Sequence, residues 1–245
     1  MSIAQTNRQV LRYRKGSWEH IEDVVSEERR LIIDWLDSPA NDGGRVVLWA
    51  WPCNLAPLAL GHILLDVKPG NGLLSRACTV ESLAEDHFRV TLGEEREKPP
   101  TSSLRNISGP MLFQAMRDFI SAKSQWDGTG CFHQTGVFDP ASGQLLSRAE
   151  DIGRHNCIDR IAGWSVMQEV PLSDKILFAS ARVTASFCSK ALQAGFRVIV
   201  SRSAVTTAAL ELAKKSGVSL VGFARADEDR LTLFIDEKRR IEVIP

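Results

Sequence analysis

Two apolar runs, Leu31-Ile32-Ile33-Asp34-Trp35-Leu36 and Val46-Val47-Leu48-Trp49-Ala50-Trp51, flank the turn-rich segment from Asp37 to Gly44 and predict two strands joined by a loop. Asn54 then stands where it can cap a helix whose Leu58, Leu60, Ile63 and Leu64 form a buried stripe. Residues 73 to 92 alternate weakly and predict further strands. The charged, proline-bearing run from Glu94 to Pro100 separates these elements from the amphipathic helix Met111 to Ile120, which has Ser108 near its start. A domain boundary is expected between 95 and 110, dividing the chain into units 1–105 and 106–245.

Beyond that point the pattern is regular. It predicts strands at 132 to 138 and 143 to 148, helix 155 to 168, strand 175 to 180, helix 184 to 194, strand 197 to 201, helix 206 to 216 and strand 218 to 223. Such alternation argues for a largely parallel sheet covered by helices. Ile176-Leu177-Phe178-Ala179 and Val198-Ile199-Val200 are almost purely apolar, as strands buried on both faces should be. Their carboxyl ends are the expected place for a site.

Composition narrows the possible partners. The 245 residues carry thirty basic and thirty acidic side chains, so no net field draws the chain to nucleic acid or a membrane surface. Met1 to Arg14 lacks an apolar signal core, and no stretch reaches the ~20 apolar residues that span a bilayer. Five scattered cysteines, an odd number, fit reduced thiols in the cytoplasm better than a disulfide framework.

Three adjacent loops after the parallel strands each carry an arginine: Ser180-Ala181-Arg182-Val183-Thr184, Ser201-Arg202-Ser203 running on to Thr206-Thr207, and Gly222-Phe223-Ala224-Arg225. Guanidinium forks, hydroxyls such as those of Ser203 and Thr206, and free amides at helix starts hold phosphate well, which points to a nucleotide or pyrophosphate ligand. For any single loop the alternative is that the hydroxyls cap helices and the arginine faces solvent. Neither a Walker A lysine nor a Gly-x-Gly-x-x-Gly turn is present. Asp151, Arg154, His155 and Asp159 gather opposed charges beside Gly153 at a strand-to-helix passage, either as a cap or as a binding cluster. Cys131, His133, His155 and Cys157 can be drawn as a zinc site, but they lack a tight Cys-x-x-Cys pair, and His155 should point away from Cys157. A core cysteine and a hydrogen-bonded histidine explain them as well, and no metal is expected.

The segment Arg148-Ala149-Glu150-Asp151-Ile152-Gly153-Arg154-His155-Asn156-Cys157 resembles the signature of the FdhD family, the formate dehydrogenase accessory sulfurtransferases. Thr129-Gly130-Cys131-Phe132-His133, Ser180-Ala181-Arg182, Ser203 to Ala213, Leu220 to Arg225 and the upstream Pro52 to Gly61 follow the family's order, covering roughly 45 to 235. The resemblance implies a cytidine deaminase-like three-layer α/β/α domain after a smaller N-terminal α/β domain, in a cytoplasmic homodimer. It implies binding of the molybdenum bis(molybdopterin guanine dinucleotide) cofactor, with GDP as a surrogate, and sulfur relay from a cysteine desulfurase before formate dehydrogenase receives the cofactor. His133, Asp151, Arg154, His155, Arg182, Ser203, Thr206, Phe223 and Arg225 are its expected contacts. Ala226-Asp227-Glu228 do not follow the family pattern.

One departure is chemical. The family carries sulfur on a Cys-Gly-x-Cys-Gly loop after a serine pair, whereas Ser102-Ser103 here precedes Leu104-Arg105-Asn106-Ile107-Ser108. Leu104 and Ile107 stand at the cysteine positions and offer no thiolate. Cys131, where the family has glycine, is the candidate carrier. The alternative is a non-catalytic paralogue that binds the cofactor or a guanine nucleotide without transferring sulfur. A zinc hydrolase of the deaminase kind would need Pro-Cys-x-x-Cys, and Pro52-Cys53-Asn54-Leu55-Ala56 lacks the second cysteine.

Overall fold

The computed structural model describes residues 5–38, 40–70, 72–97, 104 and 106–243, and the backbone alone at 226. Ser102, Ser103, Arg105 and much of the expected boundary lie outside the described residues. The chain is mixed α/β, built on two main sheets.

The first sheet has the order β4-β3-β6-β5, formed by β3 (Arg29–Asp37), β4 (Asp42–Ala50), β5 (Arg76–Ala84) and β6 (His87–Glu95). Its inner face carries Leu31, Ile33, Val90 and Leu92, all at most 1% exposed. Against it packs α1 (Leu55–His62), whose residues Leu55, Pro57, Leu58, Ala59, Leu60 and Gly61 are all buried. A helix apolar on every side must be covered on every side, and α4 (Arg154–Met167) covers the other flank. The helices cross at glycines: a Cβ on Gly61 would lie 1.9 Å from the Asp159 carbonyl oxygen, and one on Gly163 1.9 Å from that of Pro57. Asn54 precedes α1 in the left-handed region but makes no side-chain cap, contrary to expectation. After His62 the chain widens into a π turn, Ile63–Val67.

The second sheet runs β13-β12-β11-β10-β8-β9. Its strands are β8 (His133–Asp139), β9 (Gln144–Asp151), β10 (Ile176–Ala179), β11 (Val198–Ser201), β12 (Ser219–Arg225) and β13 (Arg230–Ile235). Only β10, β11 and β12 are mutually parallel; β8, β9 and β13 pair antiparallel, so the sheet is half as parallel as the alternation suggested. Helices α4, α5 (Ala185–Ala194) and α6 (Thr207–Ser216) cover one face, and α2 (Gly109–Ser121) the other, in three layers. Ser108 caps α2 by accepting from the Met111 amide. A single apolar cluster runs from Leu31 and Ile33 through α1 and α4 to Leu177 and Ile199, so the core is continuous across both halves of the chain.

Three smaller elements complete the fold. A two-residue β7 (Ile107–Ser108) pairs with β14 (Ile241–Glu242), and α3 (Trp126–Thr129) is a single turn before β8. A ribbon of β1 (Gln5–Arg14) and β2 (Ser17–Ser26) stands apart from the main sheets and touches α3 at its base. No helix among the described residues is long and apolar enough to cross a membrane.

Candidate functional site

The carboxyl ends of β10 and β11 meet the start of β8 because β8 runs against them. The Ser180 amide donates to the Gln134 carbonyl at 3.0 Å, and the Gln134 amide to Ser180 Oγ at 2.9 Å. Above this junction lies a cleft of about 520 Å³ lined by His133, Ser180, Ala181, Arg182, Arg202 and Ser203, with Trp126, Asp127 and Phe132 from the α3 side. Ser203 Oγ donates to the Ser180 carbonyl at 2.8 Å, which ties the two loops together. The isolated bridge between Val183 and Val205 extends that tie.

The cations around the cleft differ in how far they are occupied. Arg182 is exposed and has no ion pair among the described residues. Arg154, the first residue of α4, also lacks an ion pair among them, and its Nε is buried with no hydrogen-bond partner. His133 is half-buried, and burial together with the nearby Arg154 and Arg182 lowers its pKa. His155 is lowered in the same way by burial, Arg154 and Lys190; its Nε2 lies 3.1 Å from Ser186 Oγ. Both imidazoles are therefore mainly neutral near pH 7, and the positive field is supplied by arginine.

Several expected contacts turn inward instead. Asp151 is fully buried: Oδ1 accepts from the Gly153 amide at 2.9 Å and Asn156 Nδ2 at 3.0 Å, and Oδ2 from Arg160 Nε at 2.9 Å and Nη2 at 2.6 Å. Every lone-pair direction of that carboxylate is occupied, so it anchors the strand-to-helix passage rather than facing a ligand. Arg160 in turn donates to the carbonyls of Trp51, Cys53 and Asn54 at 2.7, 2.5 and 2.8 Å, clamping that loop to the signature segment. The Thr206 hydroxyl accepts from the Ala209 amide at 3.3 Å, the capping role left open as the alternative. Phe223 takes a positive φ of 48°, and its amide donates to the Ser203 carbonyl at 3.0 Å. Arg225 lies across the Phe223 ring and is paired with Glu228, outside the cleft lining.

The thiols separate cleanly. Cys157 is buried in α4, its Sγ 3.4 Å from the His133 carbonyl oxygen, and burial pushes its pKa well above the usual thiol value. Cys131 is exposed beside α3, with Sγ 3.3 Å from Ser26 Oγ and 3.4 Å from Thr129 Oγ1. Leu104 and Ile107, at the family's cysteine positions, are 7% and 1% exposed and belong to the apolar cluster under α2.

Among the described residues, His62, Asp66 and Asp159 form the grouping with metal-ligand spacing. Lys190 already serves it as a cation, its Nζ 2.7 Å from both Asp66 Oδ2 and Asp159 Oδ2. Burial alone would lower the pKa of His62, but hydrogen bonds to Asp159 and Asp66 outweigh it and raise the value to about 9. Sequence reasoning did not single out His62, Asp66 or Lys190, nor Trp126 in the cleft wall. Trp126 did carry a signal: a large aromatic in the polar run Ser124-Gln125-Trp126-Asp127, now 52% exposed.

Fold and cleft together define an α/β protein with a cationic recess at the carboxyl ends of its parallel strands. The chain belongs to the FdhD/NarQ family, whose model matches residues 68–241. It is 31% identical to a protein of Bacillus licheniformis named Sulfur carrier protein FdhD, over 90% of this chain and 92% of that one. It is 28% identical to Protein FdhD of Methanocaldococcus jannaschii, over 70% of this chain and 76% of that protein. With the sulfur carrier protein of Bacillus pumilus, at 34% identity, the match spans half of this chain and 46% of that one. A crystal structure from Desulfotalea psychrophila, described as a proposed formate dehydrogenase accessory protein, superposes with a TM-score of 0.81 over 98% of this chain and all of that chain, at 19% identity. That likeness concerns the fold.

Proposed function

We propose that this chain is a cytoplasmic accessory protein of formate dehydrogenase maturation. In this reading it binds the molybdenum bis(molybdopterin guanine dinucleotide) cofactor as cargo and delivers sulfur to it. The observation that carries the reading is the pair of arginines, Arg182 and Arg154, without counter-charges near a cleft lined by Ser180 and Ser203. A guanidinium without a partner is a fork ready for phosphate. The cleft volume of about 520 Å³ is within the usual range for small-molecule sites and suits one nucleotide diphosphate end of the cofactor. Names of relatives that include "sulfur carrier" and "formate dehydrogenase accessory" support the same direction.

Sulfur enters this scheme at Cys131, the exposed thiol, since Leu104 and Ile107 are apolar core residues. The Cys131 thiolate attacks the terminal sulfur of a cysteine desulfurase persulfide. One S–S bond forms as the other breaks, the desulfurase cysteine leaves as thiolate, and Cys131 carries the persulfide. The adjacent Phe132 and His133 line the cleft, which puts the carrier beside the cargo. Incubation with a desulfurase and cysteine is expected to add the mass of one sulfur atom, and Cys131→Ser to abolish the addition. An unmodified wild-type chain would remove sulfur transfer and leave the cofactor-binding paralogue. GDP is expected to raise the melting temperature, and Arg182→Ala to weaken that response; a chain indifferent to GDP refutes the cleft assignment.

A second copy of the chain is the remaining partner in this reading. Leu11, Tyr13 and Trp18 are 54%, 60% and 68% exposed on the β1–β2 ribbon. A lone two-stranded ribbon is marginal in water unless something covers it. Light scattering of the purified protein tests the homodimer.

A further inference from the structure

Arg202 stands between two recesses. It lines the cleft with Arg182 and Ser203, and it also lines a neighbouring cavity of about 250 Å³ with Met116, Ile120 and Asp227. Its Nη2 donates to Asp227 Oδ2 at 3.5 Å. The arginine of the next loop is held in the same manner: Arg225 Nη1 donates to Glu228 Oε1, and Arg230 Nη2 lies 3.0 Å from Glu228 Oε2. Two of the three loop arginines are thus neutralised by successive carboxylates of one short turn, Ala226–Glu228. The third, Arg182, has no such partner among the described residues.

The turn is bounded by two unusual joints. Phe223 and Asp229 flank it, each with φ of 48°, a left-handed conformation that costs a non-glycine residue energy. The pairing of β12 with β13 is also irregular between Gly222 and Arg225. The Arg202–Asp227 side chains are 44% and 65% exposed, so their attraction is weak and easily screened. A phosphate offers the same guanidinium fork more charge and more acceptors than a carboxylate does.

The geometry points to Asp227 and Glu228 as resident counter-anions that set which anions the cleft admits. This inference rests on the proposed phosphate-binding role of the cleft. A single phosphate is satisfied at Arg182 and gains little by displacing Asp227 from Arg202. A diphosphate reaches both arginines and replaces the carboxylate with a stronger partner. The admitted class is therefore the diphosphate ester, with monophosphates selected against. Once Arg202 leaves Asp227, the side chain shared by the walls of the two recesses is free to follow the ligand.

The test uses the full chain with inorganic pyrophosphate and orthophosphate in calorimetric titrations. Wild type is expected to bind pyrophosphate and to discriminate against orthophosphate. The Asp227→Asn, Glu228→Gln double variant should bind pyrophosphate about threefold to tenfold more tightly, with the preference over orthophosphate reduced. Arg202→Ala should weaken pyrophosphate binding in both backgrounds. Unchanged or weaker pyrophosphate binding by the double variant overturns the inference while the cleft assignment stands. If neither wild type nor the double variant binds pyrophosphate, the phosphate cleft itself fails and this inference fails with it.

Discussion

Replacing Asp151 with Asn should destabilise the protein by about 3–5 kcal/mol, the cost of removing one partner from a buried ion pair. Asp151 is 0% exposed and Arg160 6%, so solvent offers the stranded guanidinium no relief. Two of the four bonds accepted by Asp151 come from Arg160, at 2.6 and 2.9 Å, and the neutral amide would turn an NH2 group toward at least one donor. Against a total stability of about 5–15 kcal/mol this is a large fraction. With an m-value of about 2–3 kcal/mol/M, the urea midpoint should fall by about 1–2 M with little change in slope. Arg160→Met should cost a similar amount, because it leaves Asp151 and the carbonyls of Trp51, Cys53 and Asn54 without their donor. The double variant should lie nearer to either single variant than to their sum, since the two residues act as one unit. GDP affinity, measured well below the melting temperature, should stay within about twofold of wild type if the carboxylate is structural. A loss below about 1 kcal/mol, or a GDP affinity that collapses while stability holds, would refute this account and return Asp151 to the ligand.

Two further outcomes concern the α1–α4–α5 junction. His62 has a folded-state pKa of about 9 against 6.5 for an ordinary histidine, so its contribution is fully present below pH 6.5 and is lost as pH rises through 9. The gap corresponds to about 2–3 kcal/mol after allowance for its partial exposure. His133 and His155 are shifted the opposite way, so urea midpoints between pH 7 and 9 isolate His62. The wild-type midpoint should fall over that window and that of His62→Gln should be flatter, whereas equal slopes would exclude the linkage. Gly163→Ala should cost about 3 kcal/mol and lower Tm by about 6–12 °C, because the new Cβ meets the Pro57 carbonyl at 1.9 Å and neither backbone can yield locally. A melting temperature within about 2 °C of wild type would mean that the helices separate freely.

Legibility in the sequence follows burial. Strands β10 and β11 are covered on both faces, so four consecutive apolar residues declared each of them, and the hydroxyls before α5 and α6 marked the helix starts. The β1–β2 ribbon gave no comparable signal because neither face is buried: Arg8, Arg12 and Asp23 occupy positions that an inward-facing strand would fill with apolar side chains. Its turn, Lys15 and Gly16 at φ 51° and 87°, lacks the usual Asn-Gly spelling. The antiparallel flanks of the second sheet escaped notice for another reason, since alternation of strands and helices fixes neither the direction of β8 nor the docking of β13.

The signature segment shows where side-chain direction mattered more than residue type. In β9 the period of two puts Asp151 on the same face as the buried Ala149, so its carboxylate was destined for the interior. One helical turn beyond Gly153, Asp159 is likewise fully buried and faces Lys190, while Arg154 and His155 remain half-buried at the α4 start. Charge that reads as one cluster along the chain therefore divides by face. The acids hold α4, the loop at Trp51–Asn54 and α5 together, and by pairing with Arg160 and Lys190 they are withdrawn from Arg154. A binding cation next to two carboxylates in sequence stays available to an anion only because those carboxylates have other cations to neutralise. The same logic makes the opposite arrangement at Arg202 and Arg225 informative: there the carboxylates lie at the surface, and any anion must compete with them.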